Sequence, residues 1–178
     1  MSDFNLSIGV ILKFEGGWVN NPVDPGGETN WGISMLMVRR EGMTPAELGI
    51  PDFNPGSMKL MTVDTAKKIY KRFFWDKHQY EKIHDQNVAT KIFDVGVNCG
   101  PGRSHRMAQK AANQCGQALK EDGILGPNSF AGINACDPTL FLKAMAAEQL
   151  AYYNAIVAAK PALKIFLKNW TRRSGWVG

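Results

Sequence analysis

The chain of 178 residues is 44% hydrophobic and 10% aromatic, enough to bury an ordinary core as one compact unit or two closely packed lobes. Lysine and arginine outnumber aspartate and glutamate by 21 to 16, a net charge of +5 that favours a polyanionic partner. The cations are scattered apart from Lys67-Lys68, Lys71-Arg72 and Arg172-Arg173, with no Arg-rich arm or zinc-finger pattern, and no apolar run approaches a membrane span; nucleic acid and stable membrane insertion are set aside.

Residues 3–14 place Phe4, Ile8, Ile11 and Leu12 at helical spacing, with Ser2 or Asp3 as N-cap and Gly16-Gly17 as the stop. From Trp18 to Ile33 the pattern changes to Asn, Pro, Asp and Gly turns and then to alternation. Thr29, Trp31 and Ile33 fall on one face, which predicts a small β-hairpin or irregular ribbon. Residues 50–58 read as a Pro- and Gly-containing loop. Thr62 or Asp64 then caps a helix with Ala66, Ile69, Tyr70, Phe73 and Phe74 on its apolar face.

A helix over 87–99 buries Val88, Ile92, Val95 and Cys99 and leaves Lys91, Asp94 and Asn98 in a polar row. The next, over 103–119, buries Met107, Ala108, Ala111, Ala112, Cys115 and Leu119. After a break at 116–127 a short helix runs through Phe130 and Ile133. Asp137-Pro138 supplies an N-cap and a first-turn proline for a long helix to about residue 159. Pro161 separates it from a last amphipathic segment with Leu163, Phe166, Leu167 and Trp170. Cys99, Cys115 and Cys136 are odd in number and lack metal or redox spacing, so they read as reduced, buried thiols. His78, His84 and His105 lack metal-ligand spacing too; no metal and no cofactor is expected.

The buried stripe of the first helix leads to position 15, where the sequence has Glu15. Partial burial and the negative end of a helix dipole both disfavour a charged carboxylate, which suits a general acid. The competing reading is a helix-end carboxylate satisfied by an ion pair. Gly16-Gly17 lets the backbone approach a ligand, and Asp24 follows nine residues on, either as a second carboxylate for glycoside hydrolysis or as an Asx-turn residue. Thr29 can hold an attacking water. Trp18, Asn30 and Trp31 flank this set as substrate-binding candidates, although aromatics beside a hairpin also serve as core. Asp94 and Asn98, one turn apart, either line a sugar cleft or form a solvated or capping row. Glu148 lies on the apolar stripe of the long helix and reads as the partner of an arginine.

Glu15-Gly16-Gly17-Trp18, Asn20-Asn21-Pro22, Asp24-Pro25-Gly26-Gly27 and Thr29-Asn30-Trp31-Gly32-Ile33 together resemble the signature of glycoside hydrolase family 108, phage and prophage endolysins classed as N-acetylmuramidases. The second half resembles the peptidoglycan-binding-like region that follows in that family. Phe93-Asp94, Asn98, Gly100-Pro101-Gly102 and Gln109 match its opening, and residues 122–130 match its turn-and-helix segment. At the C-terminus Asn169-Trp170-Thr171-Arg172 stands where the family more usually has Gly-Trp-x-x-Arg.

The resemblance implies a mainly α, lysozyme-like fold with a small β-hairpin next to the catalytic helix. It divides the chain into a muramidase region, 1–95, and a peptidoglycan-binding-like region, 96–178, packed into one unit. Glu15 corresponds to the family's catalytic glutamate, and Asp24 and Thr29 follow a Glu, Asp, Thr order seen in other phage muramidases. The implied partners are bacterial peptidoglycan and a holin-type export partner, for a monomer made in the host cytoplasm: the first segment carries Asp3, Lys13 and Glu15 rather than a basic-then-apolar export signal. The rivals are a lytic transglycosylase using Glu15 alone and a non-catalytic wall-binding protein.

The charge balance generates a first prediction. On outer-membrane-stripped bacteria, raising ionic strength should weaken apparent substrate affinity more than turnover, because salt screens surface charge more than groups in a partly desolvated cleft. Lytic rates that stay constant from low to near-molar salt would show that surface charge does not guide the protein.

Overall fold

A computed structural model describes residues 1–20 and 27–176. Among these residues the chain forms helices plus one two-stranded hairpin, and it divides into two compact units, Ile8–Phe73 and Met1–Ser7 with Phe74–Gly178. The sequence boundary near 95 marks where one set of motifs gives way to the next, whereas this division marks where packing separates.

In the larger unit, helix α5 (Gln86–Cys99) is capped by Asp85, whose side chain accepts from the Val88 N–H at 2.9 Å. Its nine residues from Val88 to Gly96 are all buried. Phe93 meets Phe4, Trp75 and Tyr80 at ring separations of 6.2, 5.5 and 5.8 Å, an aromatic cluster that anchors the first turn of helix α1 (Phe4–Phe14). Helices α6 (Pro101–Gln114) and α8 (Pro138–Ala159) pack against α5 and each other, and α7 (Pro127–Ala135) packs on α6. Asp137 caps α8 as its spacing predicts, accepting from the Leu140 N–H at 2.9 Å with Pro138 in the first turn.

Three expectations change here. Helix α6 stops at Gln114 instead of continuing to 119, because Gly116 takes a left-handed φ of +93° and Asn113 binds both backbone groups of Leu119. Cys136 is a buried free thiol, but Cys99 and Cys115 are only half-buried. The polar row on α5 is not a solvated one. Lys91 and Asp94 have no exposed surface, and Asn98 alone of the three is exposed.

What buries that row is the end of helix α9 (Lys164–Ser174). Arg173 donates to both Asp94 carboxylate oxygens from Nε, at 3.0 and 3.2 Å, and reaches Oδ1 from Nη2 at 2.8 Å. Lys91 Nζ donates to the carbonyls of Ser174 and Trp176 at 2.7 and 2.9 Å. Burial pushes the Lys91 ammonium down to about 8, with the nearby Asp94 opposing the shift. Trp170 and Arg173 thus keep a Trp-x-x-Arg spacing, and its arginine is the one that reaches Asp94.

In the smaller unit, strands β1 (Thr29–Asn30) and β2 (Ile33–Ser34) pair antiparallel with Thr29 opposite Ser34 and Asn30 opposite Ile33. Helices α2 (Met35–Arg40) and α3 (Pro45–Leu48) are too short to show a hydrophobic period, yet both carry caps. Ser34 accepts from the Met37 N–H at 3.2 Å, and Thr44 and Glu47 form a reciprocal capping box around Pro45. Thr62 caps α4 (Val63–Tyr70), which widens into a π-type turn over Lys71–Asp76.

The Asp94–Arg173 pair supplies a stability test. Arg173→Met should cost about 3–5 kcal/mol, since it leaves a fully buried carboxylate without its cation. Adding Asp94→Leu should recover most of the loss. Equal denaturation midpoints for wild type and the single variant would remove the pair from the fold's support.

Candidate functional site

The candidate site in the smaller unit begins at the hairpin turn. Trp31 and Gly32 connect β1 to β2 with φ values of +53° and +76°, the pair of left-handed residues that a tight two-residue hairpin requires. The predicted common face of Thr29, Trp31 and Ile33 therefore does not form, because Trp31 leaves the strand for the turn. Thr29 is half-buried and forms a second bridge, to Val19, with paired backbone hydrogen bonds of 2.8 and 2.9 Å. That bridge lays the segment after Gly16-Gly17 beside the hairpin.

Three anchors hold the turn. Tyr70, fully buried on α4, donates from its hydroxyl to the Trp31 carbonyl at 3.0 Å. The Trp31 indole N–H donates to the Met61 carbonyl at 3.2 Å. Asn30, only 3% exposed, donates from its side-chain amide to the carbonyls of Met58 and Met61 at 2.8 and 3.2 Å, so it fastens β1 to the residue 57–61 segment.

Glu15 follows the last helical residue of α1, its N–H still bonded to Ile11 O at 3.0 Å, and its side chain is half-buried. The carboxylate lies against Gly32. A Cβ at that position would stand 2.6 Å from Glu15 Oε2 and 2.4 Å from the Tyr70 hydroxyl. Only glycine leaves room there for both oxygens, and only glycine takes the φ without strain. Gly16 and Gly17 are exposed, and among the described residues no atom lies within 4 Å of a Cβ added at either. Trp18, 38% exposed, has the Lys59 ammonium 5.5 Å from its ring centroid.

Sequence reasoning missed two groups. Tyr70 reads as core by its spacing; its hydroxyl, which needs a partner once buried, was the available signal. Glu28, 5% exposed, accepts from the Gly56 N–H, from the Met58 N–H at 3.3 Å and from Asn20 Nδ2 at 3.4 Å. It ties the 56–58 backbone to the hairpin, and alternation alone gives no hint of that.

Asp24 lies outside the described residues, as does the rest of 21–26. Asp94 and Asn98 belong to the other unit. Asp94 is engaged by Arg173, and Asn98 accepts from the Tyr153 hydroxyl at 2.7 Å. Glu148 pairs with Lys110 at 3.7 Å and accepts from Gln114 at 2.7 Å, which corrects the expected arginine partner. His105 donates from Nδ1 to Gly123 O at 3.1 Å and accepts from the Tyr80 hydroxyl at 2.9 Å; burial lowers it to about 4. Among the described residues no cluster of His, Cys, Asp and Glu could hold a metal ion, and no helix is long and apolar enough to cross a membrane.

Sequence comparison matches residues 8–100 to a family described as Glycosyl hydrolase 108 and residues 103–175 to one described as Predicted Peptidoglycan domain. No curated protein matches the sequence. The solved structure of SagA from Brucella abortus superposes with a TM-score of 0.74 at 24% sequence identity, covering 96% of this chain and 88% of that one, which establishes a shared fold.

The Gly32 contact predicts that Gly32→Ala destabilises the protein by about 1–3 kcal/mol from the left-handed backbone and the clash together. In a Tyr70→Phe background the same substitution should cost measurably less, a coupling above roughly 0.5 kcal/mol. Strict additivity of the two changes in chemical denaturation would show that the hydroxyl does not restrict this position.

Proposed function

The chain belongs to the glycosyl hydrolase 108 family, which makes it a glycoside hydrolase acting on peptidoglycan, and we propose that it is a muramidase that hydrolyses the β-1,4 bond between N-acetylmuramic acid and N-acetylglucosamine. The observation that carries this reading is the Glu15 carboxylate at the open end of α1, seated on a glycine that leaves it space beside a buried tyrosine hydroxyl.

In this reading Glu15 is the general acid that protonates the departing glycosidic oxygen. Asp24 activates the incoming water as base and Thr29 orients it, so the anomeric carbon exchanges its bond to the leaving sugar for one to water oxygen. Trp18 and Trp31 offer ring faces to the sugars. Asn30 acts through the hairpin it anchors; of the two polar candidates on α5, Asn98 is exposed for glycan contact, whereas Asp94 is sealed beneath Arg173 and supports the fold. The enzyme works without metal or cofactor, as a bacteriolytic, monomeric endolysin reaching the wall after a holin-type partner opens the membrane. A helix-end carboxylate next to exposed Gly16-Gly17 supports catalysis more than a relic wall-binding role, because binding alone does not require the crowded Gly32 contact.

Glu15→Gln keeps the shape of the side chain and cannot deliver a proton. Clearing of outer-membrane-stripped cells should fall by at least about a hundredfold with the melting curve retained. Mass spectrometry of the wild-type digest should show reducing muramic acid ends. Anhydro-muramic ends would reassign the chain as a lytic transglycosylase, and near-wild-type clearing by the folded variant would remove Glu15 from the mechanism.

A further inference from the structure

The second unit carries a charged groove that the chemistry above does not use. Arg103, Arg106, Met107 and Lys110 recur at intervals of three and four along α6, which puts them on one face of that helix. Glu148, Ala151 and Tyr152 do the same on α8, which packs beside it. Together these seven residues line a cavity of about 290 Å³. The groove carries three cations against a single carboxylate.

The two guanidinium groups are held in place by neutral partners. Arg103 donates to Cys99 O at 2.9 Å and lies 4.5 Å from the centroid of the Tyr152 ring. Arg106 donates from Nε and Nη2 to the carbonyls of Glu121 and Asp122 at 3.1 and 3.3 Å. Neither forms an ion pair with a carboxylate among the described residues; Glu148 is engaged by Lys110 and Gln114 instead. Carbonyls and an aromatic face fix an arginine without cancelling its charge, so the groove presents ordered cations whose positioning entropy is already lost. Arginine forks match planar carboxylates. All seven lining residues lie within the stretch matched by the peptidoglycan domain family.

We propose that the groove between α6 and α8 binds the carboxylate groups of peptidoglycan stem peptides, with Arg103 and Arg106 as the paired cations and Tyr152 as the flat wall beside them. This rests on the reading of the chain as a peptidoglycan hydrolase. The groove would hold the protein on its insoluble substrate while a different part of the chain cuts the glycan.

The test is sedimentation of the full chain, carrying Glu15→Gln, with purified sacculi in the cold. Muropeptide release into the supernatant is monitored separately, so a failure of the Glu15 assignment appears there and not as a change in binding. Arg103→Gln with Arg106→Gln should weaken sacculus binding roughly tenfold, and the corresponding pair of lysine substitutions should weaken it less. Glu148→Gln, which removes the single negative charge, should tighten binding and serves as the opposite arm if the glutamine pair fails to fold. Converting the sacculus carboxylates to amides with a carbodiimide and ammonia should reduce binding of the protein with both arginines intact to the level of the glutamine pair. Unchanged binding by the folded glutamine pair overturns the proposal. So does a loss of binding that follows removal of phosphate-bearing wall polymers and not amidation, which would assign the groove to phosphate.

Discussion

Helix α5 has no solvent face from Val88 to Gly96, and so every polar group on it must be satisfied from inside the unit. Both ends of the chain are recruited for this. Thr90 shares hydrogen bonds with Ser7 and Gln86, and Gln86 in turn accepts from the Asp3 N–H at 2.7 Å, which ties the start of α1 to the start of α5. At the other end, Arg173 and the carbonyls of Ser174 and Trp176 close over Asp94 and Lys91. A helix that looks amphipathic in sequence is thereby made into a core element, and the C-terminal turn of α9 becomes part of the fold's support. That assignment leaves Asp94 with less freedom to touch a sugar than its place in a polar row suggests.

The candidate site uses a different economy. The turn at Trp31-Gly32 puts a non-glycine residue at positive φ, an arrangement of low intrinsic stability that persists because Tyr70, Met61 and Asn30 anchor it from three directions. The return is positional. Glu15 sits at the end of a helix, and the bare face of Gly32 gives its carboxylate a defined place beside a buried, hydrogen-bonded hydroxyl. Preorganisation of this kind comes from the residues behind the acid as much as from the acid itself.

The long helices were legible because their ends are written locally. Asp137-Pro138 fixes the start of α8, and α5 begins at Gln86, one residue ahead of the predicted 87, behind an Asp85 cap that periodicity alone does not single out. The hairpin was legible as a pattern change and its turn was not, since alternation assigns Trp31 to a strand when the chain spends it on a left-handed turn. Glu15 stood out because it interrupts an apolar stripe. Tyr70 and Glu28 did not, because what makes them notable is a contact with residues 28 to 39 positions away, and the partner of Lys91 and Asp94 lies about eighty positions away. Periodicity reports which face of a helix is apolar; it carries no information about which distant segment covers the other face.

The same limit applies to charge. The basic groups conspicuous in the sequence are partly taken up by pairing within the chain: on the surface Lys67 pairs with Asp64 at 3.3 Å and Arg72 with Glu47 at 3.4 Å, and Arg173 is buried on Asp94. Arg103, Arg106 and Lys110 never appear as a run, since residues of other types separate them, yet a helix gathers them into one stripe. Surface pairs of the first kind contribute little and are readily screened. A net charge of +5 therefore understates what one groove can offer and overstates what the rest of the surface does. Diffuse charge raises the rate at which a cationic protein meets an anionic wall, whereas guanidinium groups already fixed by carbonyls and a ring can select where on that wall it stays.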